Sequence, residues 1–128
     1  MNIQDYIKDG KAYFWKEKFA IIKSKKSNSD AFANIIDQNE ITVIIDQSKI
    51  TENDVIEIKK DWKILTFDMV LPFELTGFMA EVSKSLAAEK IAIFVVTAYS
   101  TDHILVNEGD MPKTKEKLEE LGFIIEER

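Results

Sequence analysis

The spacing of apolar and polar positions changes several times along the chain, and each change marks an element. From Trp62 to Asp68 a short run of β-branched, aliphatic and aromatic residues lies between the charged cluster Lys59, Lys60, Asp61 and Pro72, which predicts a strand. Beyond Pro72, Leu75, Phe78, Met79, Val82 and Leu86 recur at helical intervals while Glu81, Lys84, Ser85 and Glu89 take the opposite side. That pattern predicts an amphipathic helix with one buried stripe. Ile91 to Tyr99 is apolar almost throughout and predicts a strand covered on both faces or nearly so. A polar turn at Ser100, Thr101 and Asp102 then leads into His103 to Val106, so the two runs predict an antiparallel hairpin. Asn107 to Asp110 interrupts the pattern, Pro112 opens a second helix through Leu118 to Leu121, Gly122 stops it, and Phe123 to Glu126 is a last strand.

This order of strand, helix, strand, strand, helix, strand is an α+β pattern of the ferredoxin-like βαββαβ kind, with two helices on one face of a sheet. The first half repeats it less fully. Phe19 to Lys23 and Ile41 to Asp46 predict strands, Val55 to Ile58 a further one, and Ser29 or Asp30 is placed to cap a short helix through Ile36. A second helix has no counterpart there beyond a turn at Ile3 to Lys8 or Thr51 to Val55. The expectation is two tandem units, an incomplete one over residues 1–60 that borrows an element from its neighbour, and a complete one over 61–128.

Composition narrows the function classes. Of 128 residues, 45% are hydrophobic and 31% charged, which suits a folded chain with a buried core rather than a disordered one. The formal net charge of -6 repels nucleic acid and anionic lipid. Lys23, Lys25 and Lys26 form only a short basic run among serine and asparagine, which reads as a solvated loop. On the strand where an RNA-binding sheet of this topology interleaves aromatic and basic residues, the sequence is Ala92-Ile-Phe-Val-Val-Thr97, without a base. No nucleic acid and no membrane partner is expected. Apolar runs are far shorter than the roughly 20 residues that span a bilayer, the start is too acidic for a secretory signal, and cysteine is absent, so a cytoplasmic protein is expected.

Catalytic chemistry finds few candidates. Without cysteine there is no thiol nucleophile or thiolate metal site, and glycine-rich phosphate loops and the GxSxG, HExxH and CxxC patterns are missing. His103 is the single histidine and reads as structural. Asp68, Glu74 and Asp102 lack the dense spacing of a calcium loop. An acyl-phosphate hydrolase on this topology would want arginine near a phosphate cradle, and the one arginine is Arg128. The expectation is therefore a non-enzyme with no metal and no cofactor. Phe14, Trp15, Phe19 and Trp62 read as core or interface residues.

Gly77-Phe-Met-Ala-Glu-Val-Ser-Lys-Ser-Leu-Ala-Ala-Glu-Lys-Ile-Ala-Ile93 resembles the helix and following strand of ACT domains, the small-molecule regulatory modules of amino-acid metabolism. Glu40-Ile-Thr-Val-Ile-Ile-Asp46, Phe73-Glu-Leu-Thr-Gly77, Thr97-Ala-Tyr-Ser-Thr-Asp102 and Ile104-Leu-Val106 are together similar to the tandem-ACT family that includes the CASTOR-like cytosolic arginine sensors and short bacterial proteins. The resemblance runs from about Phe19 to Gly122. It departs from the family at Ala98, where a hydroxyl residue usually precedes the aromatic, and at Lys90, where glycine usually ends the helix. The first departure bears on ligand identity, the second on stability.

The resemblance implies a regulatory protein, paired as a homodimer, that holds a free amino acid between Glu74, Leu75, Thr76, Gly77 and Phe78 on one side and Thr97, Ala98, Tyr99, Thr101 and Asp102 on the other. The residue types fit that use. Gly77 begins the best helix, where unpaired backbone N–H groups carry partial positive charge and suit a carboxylate; it also suits close packing alone. Asp102 suits an ammonium group, or equally an ordinary turn. A structural subunit that kept the fold and lost the site is the alternative.

Overall fold

The computed structural model describes residues 2–128, and they divide into two compact units: the chain up to Lys16 together with Lys63–Arg128, and Glu17–Trp62. The first sixteen residues therefore belong with the C-terminal half, whereas the sequence placed them in a unit ending at residue 60.

In the larger unit, helix α1 (Ile3–Ile7) leads into strand β1 (Lys11–Phe14), and the chain returns through the end of strand β5 (Val55–Phe67). Then come helix α2 (Phe78–Ala87), strands β6 (Phe94–Thr97) and β7 (Asp102–Asn107), helix α3 (Met111–Leu121) and strand β8 (Ile124–Glu127). From β5 to β8 this is the expected strand–helix–strand–strand–helix–strand order. Within this unit the strands lie in the order β6-β7-β5-β1-β8, with β1 antiparallel to β5 and parallel to β8. The inserted β1 is the element sequence reasoning missed. Its alternation of outward Lys11 and Tyr13 with buried Ala12 and Phe14 is a strand signal, hidden by its brevity.

Alternation decides which side the helices cover. Ala12 and Phe14, Leu65 and Phe67, Ile104 and Val106, and Ile125 pack in one core with Phe78, Val82 and Leu86 of α2 and Leu118 of α3. Inside it Phe67 meets the Phe78 ring edge-on at 5.2 Å and the Phe123 ring at 5.3 Å.

Two boundaries moved. Leu75 lies outside α2, in a turn where its N–H donates to the Pro72 carbonyl at 3.0 Å, and the helix starts only after Gly77. Ile91 to Tyr99 contracts to β6, an edge strand paired with β7 alone; it is half covered, with Val95 40% exposed, rather than buried on both faces. At the end of α2, Lys90 stands at φ 58, the left-handed conformation that glycine takes without penalty and that costs an L-residue about 1–2 kcal/mol. After α3, Gly122 at φ 124 ends the helix, as its sequence position predicted.

The smaller unit holds β2 (Phe19–Ser24), β3 (Ala33–Ile36), β4 (Ile41–Asp46) and the first part of β5, in the order β3-β4-β2-β5 and antiparallel at every pairing. Ala20, Ile22, Val43 and Ile45 form its core beneath Ala31, Ile50, Val55 and Ile58. The strands at Phe19 and Ile41 are where the pattern put them; the helix capped by Ser29 or Asp30 is not. Asn28 instead accepts from the Asp30 N–H at 2.9 Å, and Asn34 bridges back to both backbone groups of Asn28 at 2.8 and 2.9 Å. Such local bonds compete with helix formation, and β-branched Ile35 and Ile36 then join β4 as a strand. Lys59, Lys60 and Asp61, read as a boundary, lie inside β5. The register slips there, and Asp61 sits at φ 66 with its N–H donated to Gln47 Oε1 and its Oδ1 accepting from Gln47 Nε2 at 3.2 Å.

Candidate functional site

The start of α2 is built to leave backbone donors open. Gly77 precedes the helix at φ 86, a conformation that strains any side chain, and offers no capping atom of its own. The first helical bond runs from the Glu81 N–H to the Gly77 carbonyl at 3.0 Å, so the N–H groups of Phe78, Met79 and Ala80 have no acceptor within the helix. They form the positive end of a ten-residue helix.

The β6–β7 hairpin supplies the opposing wall. Thr97 pairs with Asp102 in the ladder, and the Ala98 N–H donates to the Thr101 carbonyl at 2.9 Å, which closes the turn and fixes Asp102 at the start of β7. Between this turn and the start of α2 lies a cavity of about 410 Å³, within the span of small-molecule sites. Of the ten residues singled out in the sequence, Leu75, Gly77, Phe78, Thr97, Ala98, Tyr99, Thr101 and Asp102 line it. Glu74 and Thr76 do not; both are exposed on the loop before α2.

Sequence reasoning passed over Met69, Leu71, Pro72, Phe73, Met79, Ala80 and Ser100, which complete the lining. Phe73 stood directly beside the flagged turn and was the readable one. Periodicity assigned Met79 to the buried stripe, and only the late start of α2 puts it in the first turn, at the cavity wall. Phe73 and Tyr99 pack ring to ring at 4.9 Å across the cavity, although they are 73% and 83% exposed. Asp102 is the one charged side chain in the lining.

His103, next to Asp102, turns to other work. Trp15 Nε1–H donates to Thr66 Oγ1 at 2.8 Å, and Thr66 Oγ1 lies 2.8 Å from His103 Nδ1. An indole nitrogen only donates, so Thr66 Oγ1 accepts from Trp15, and the direction of its bond with His103 Nδ1 follows the tautomer of the ring. Burial pushes the imidazole below its ordinary range, against a smaller opposing pull from Asp102. A histidine whose folded pKa is depressed contributes stability fully present above about pH 6.5 and lost as pH falls toward the folded value, because the unfolded chain takes the proton first. Urea unfolding at pH 7.5 and pH 5.5 is expected to show a larger loss of stability for the native protein than for His103→Gln. Equal losses would mean that the ring titrates as in water.

Among the described residues no three of His, Asp and Glu converge as metal ligands, and no helix is long and apolar enough to cross a membrane. Asp68 is engaged by Arg128 at 3.4 Å.

No curated protein matches the sequence. A solved structure of protein Atu0741 from Agrobacterium tumefaciens is similar over 93% of this chain and 93% of its own, at 22% identity and a TM-score of 0.76. Protein VC0802 from Vibrio cholerae, described as of unknown function and a possible transport protein, is similar over 94% and 95%, at 16% identity and 0.75. A putative C-terminal regulatory domain of aspartate kinase from Porphyromonas gingivalis W83 is similar over 88% and 96%, at 16% identity and 0.60. At these identities the structures share the fold. Residues 57–120 match the sequence pattern of the ACT domain, a stretch that runs from within β5 to α3 and contains every residue lining the cavity. The chain belongs to the ACT-domain family.

Proposed function

We propose that this protein binds a free amino acid in the cavity between the start of α2 and the β6–β7 turn, and that binding regulates a partner protein. The observation that carries the reading is the pairing of opposite polarities in one small cavity: uncapped backbone N–H groups of Phe78, Met79 and Ala80 on one wall, the Asp102 carboxylate on the other. The first suits an α-carboxylate and the second an α-ammonium, so together they match a zwitterion.

The proposal includes a homodimer, in which an ACT unit of a second copy covers the cavity. Its support is apolar surface left open in the lining: Phe73 and Tyr99 are 73% and 83% exposed. It also includes a tandem-ACT organisation akin to that of the arginine sensors. Its support is the division of the chain into two compact units. A cytoplasmic location fits a sequence without cysteine. Regulation then requires that the ligand bind one arrangement of the protein more tightly than another.

Thermal unfolding with each of the twenty amino acids at millimolar concentration tests the reading. A ligand at a hundredfold excess over its Kd stabilises the folded state by about 2.7 kcal/mol, a shift of several degrees. At least one amino acid is expected to produce it, and a flat response to all twenty sinks the proposal. The alternative, a structural ACT subunit without a ligand, is favoured by Ala98, which lacks the hydroxyl the family usually places in this wall. A tightly held amino acid in the purified protein would dispose of that alternative.

A further inference from the structure

We infer that the amino acid this cavity selects carries an uncharged, apolar side chain, aliphatic, thioether or aromatic, and that Phe73 and Tyr99 are the residues that choose it. The inference rests on the amino-acid-binding reading above and asks what remains once the ligand's backbone has been matched.

Charge comes first. Asp102 is the sole charged side chain in the lining, and neither lysine nor arginine contributes to it. A side-chain carboxylate on the ligand would enter a wall whose one fixed charge is of the same sign, with no cation to receive it. A basic side chain meets the converse difficulty. The ligand's own ammonium group already answers Asp102, and a second cation would lie against Met69, Leu71, Leu75 and Met79 without a counter-ion.

The walls supply the positive argument. Beyond Asp102 and the hydroxyl groups of the hairpin turn, the cavity is lined by thioether, aliphatic and aromatic side chains. Phe73 comes from the loop before α2 and Tyr99 from the β6–β7 turn, and their rings meet at 4.9 Å with the planes tilted by 56°. This contact links the two lips of the cavity, yet it leaves both rings largely in water. An apolar side chain seated beneath the pair would cover their inner faces, and removing that apolar surface from water favours binding. Nothing in the folding core requires the two rings, since neither belongs to the buried cluster of the larger unit.

The experiment is a calorimetric titration of the full chain with leucine, methionine and phenylalanine, with lysine and arginine, and with aspartate and glutamate. At least one apolar amino acid is expected to bind tenfold or more tightly than any charged one. A Phe73→Ala/Tyr99→Ala double variant is expected to lose that preference with its ligand-free melting temperature unchanged. A basic amino acid that binds best would overturn the inference and show the ring pair serving a cation through its π-faces. An acidic amino acid that binds best would overturn it as well, by showing that Asp102 does not set the charge. A double variant that keeps the preference would remove Phe73 and Tyr99 as its source. In all three of these outcomes the cavity remains an amino-acid site. If none of the seven binds while another amino acid does in the twenty-member screen, this inference falls alone; if none of the twenty binds, both fall.

Discussion

Phe67→Ala is expected to lower the unfolding free energy by about 3–5 kcal/mol, a large part of the roughly 5–15 kcal/mol that holds a domain of this size together. Phe67 has no solvent exposure and lies where the sheet meets both helices, edge-on to Phe78 at the start of α2 and tilted against Phe123 after α3. Truncation removes its transfer free energy and two aromatic contacts, and it leaves a void that the surrounding core cannot collapse into without moving whole elements. Phe67→Leu, which keeps most of the volume, is expected to cost much less, and Phe73→Ala, on an exposed ring, close to nothing. Urea denaturation of the three variants checks the order. A Phe67→Ala loss under about 1.5 kcal/mol would mean that the core is not centred on this ring. The same variant reaches the candidate site through Phe78, which rests on Phe67 and lines the cavity, so ligand affinity is expected to fall even where the protein remains folded.

What the sequence disclosed of this fold follows from where tertiary context agreed with local preference. α2, α3 and the β6–β7 hairpin each carry a clear hydrophobic pattern and each forms where its residues imply, although α2 begins later and β6 is shorter than that pattern alone places them. The errors came where local signals were outweighed. Ser29 and Asp30 are good helix caps in isolation, but Asn28 and Asn34 tie that segment into a turn and β4 offers an open ladder to Ile35 and Ile36. Lys59, Lys60 and Asp61 looked like a break because a charged triplet rarely sits mid-strand, yet a bulge locked by Gln47 carries the strand straight through. The placement of β1 between β5 and β8 was beyond reach by pattern alone, since no local property of Lys11–Phe14 names partners more than fifty residues away.

The candidate site was more legible than the fold around it. Gly77 and Asp102 were chosen for opposite chemistry, a helix start and a carboxylate, and chain order alone brings them close: the helix and the hairpin that follows must both return to the same end of the sheet. Glu74 and Thr76 were swept in with the motif, but in the loop that precedes a helix beginning only at Phe78, alternate residues point away to solvent. The apolar wall went unnoticed for the reverse reason. Met69, Leu71 and Met79 look like core residues in sequence, and they become cavity residues because the chain between β5 and α2 runs as an irregular loop rather than as helix.

Asp102→Asn is expected to weaken amino-acid binding by roughly 10- to 150-fold, the range that corresponds to losing a charge-assisted hydrogen bond of about 1.5–3 kcal/mol. The substitution keeps the shape of the side chain and removes its charge, so the cavity retains its walls while the ammonium group loses its one counter-ion. Stability should hardly move. Asp102 is partly exposed, its place is fixed by the backbone ladder to Thr97 rather than by its carboxylate, and the hairpin turn is closed by the Ala98 N–H. The comparison that decides is therefore between two measurements on one variant: a ligand-free melting temperature within about a degree of the native protein, and a ligand-induced shift cut to about half or less at the same ligand concentration. Unchanged affinity would mean that the ammonium group is held elsewhere, and the zwitterion match between the two ends of the cavity would have to be given up. A collapse of both stability and affinity would instead show that Asp102 serves the fold of the hairpin. Gly77→Ala separates these cases further. An added methyl there would meet only Ile3 Cδ1 at 3.6 Å, so it fills little space, but at φ 86 it strains the turn that aims the α2 donors. It is expected to cost about 1–2 kcal/mol in stability and to weaken binding from the carboxylate end, the opposite balance to Asp102→Asn.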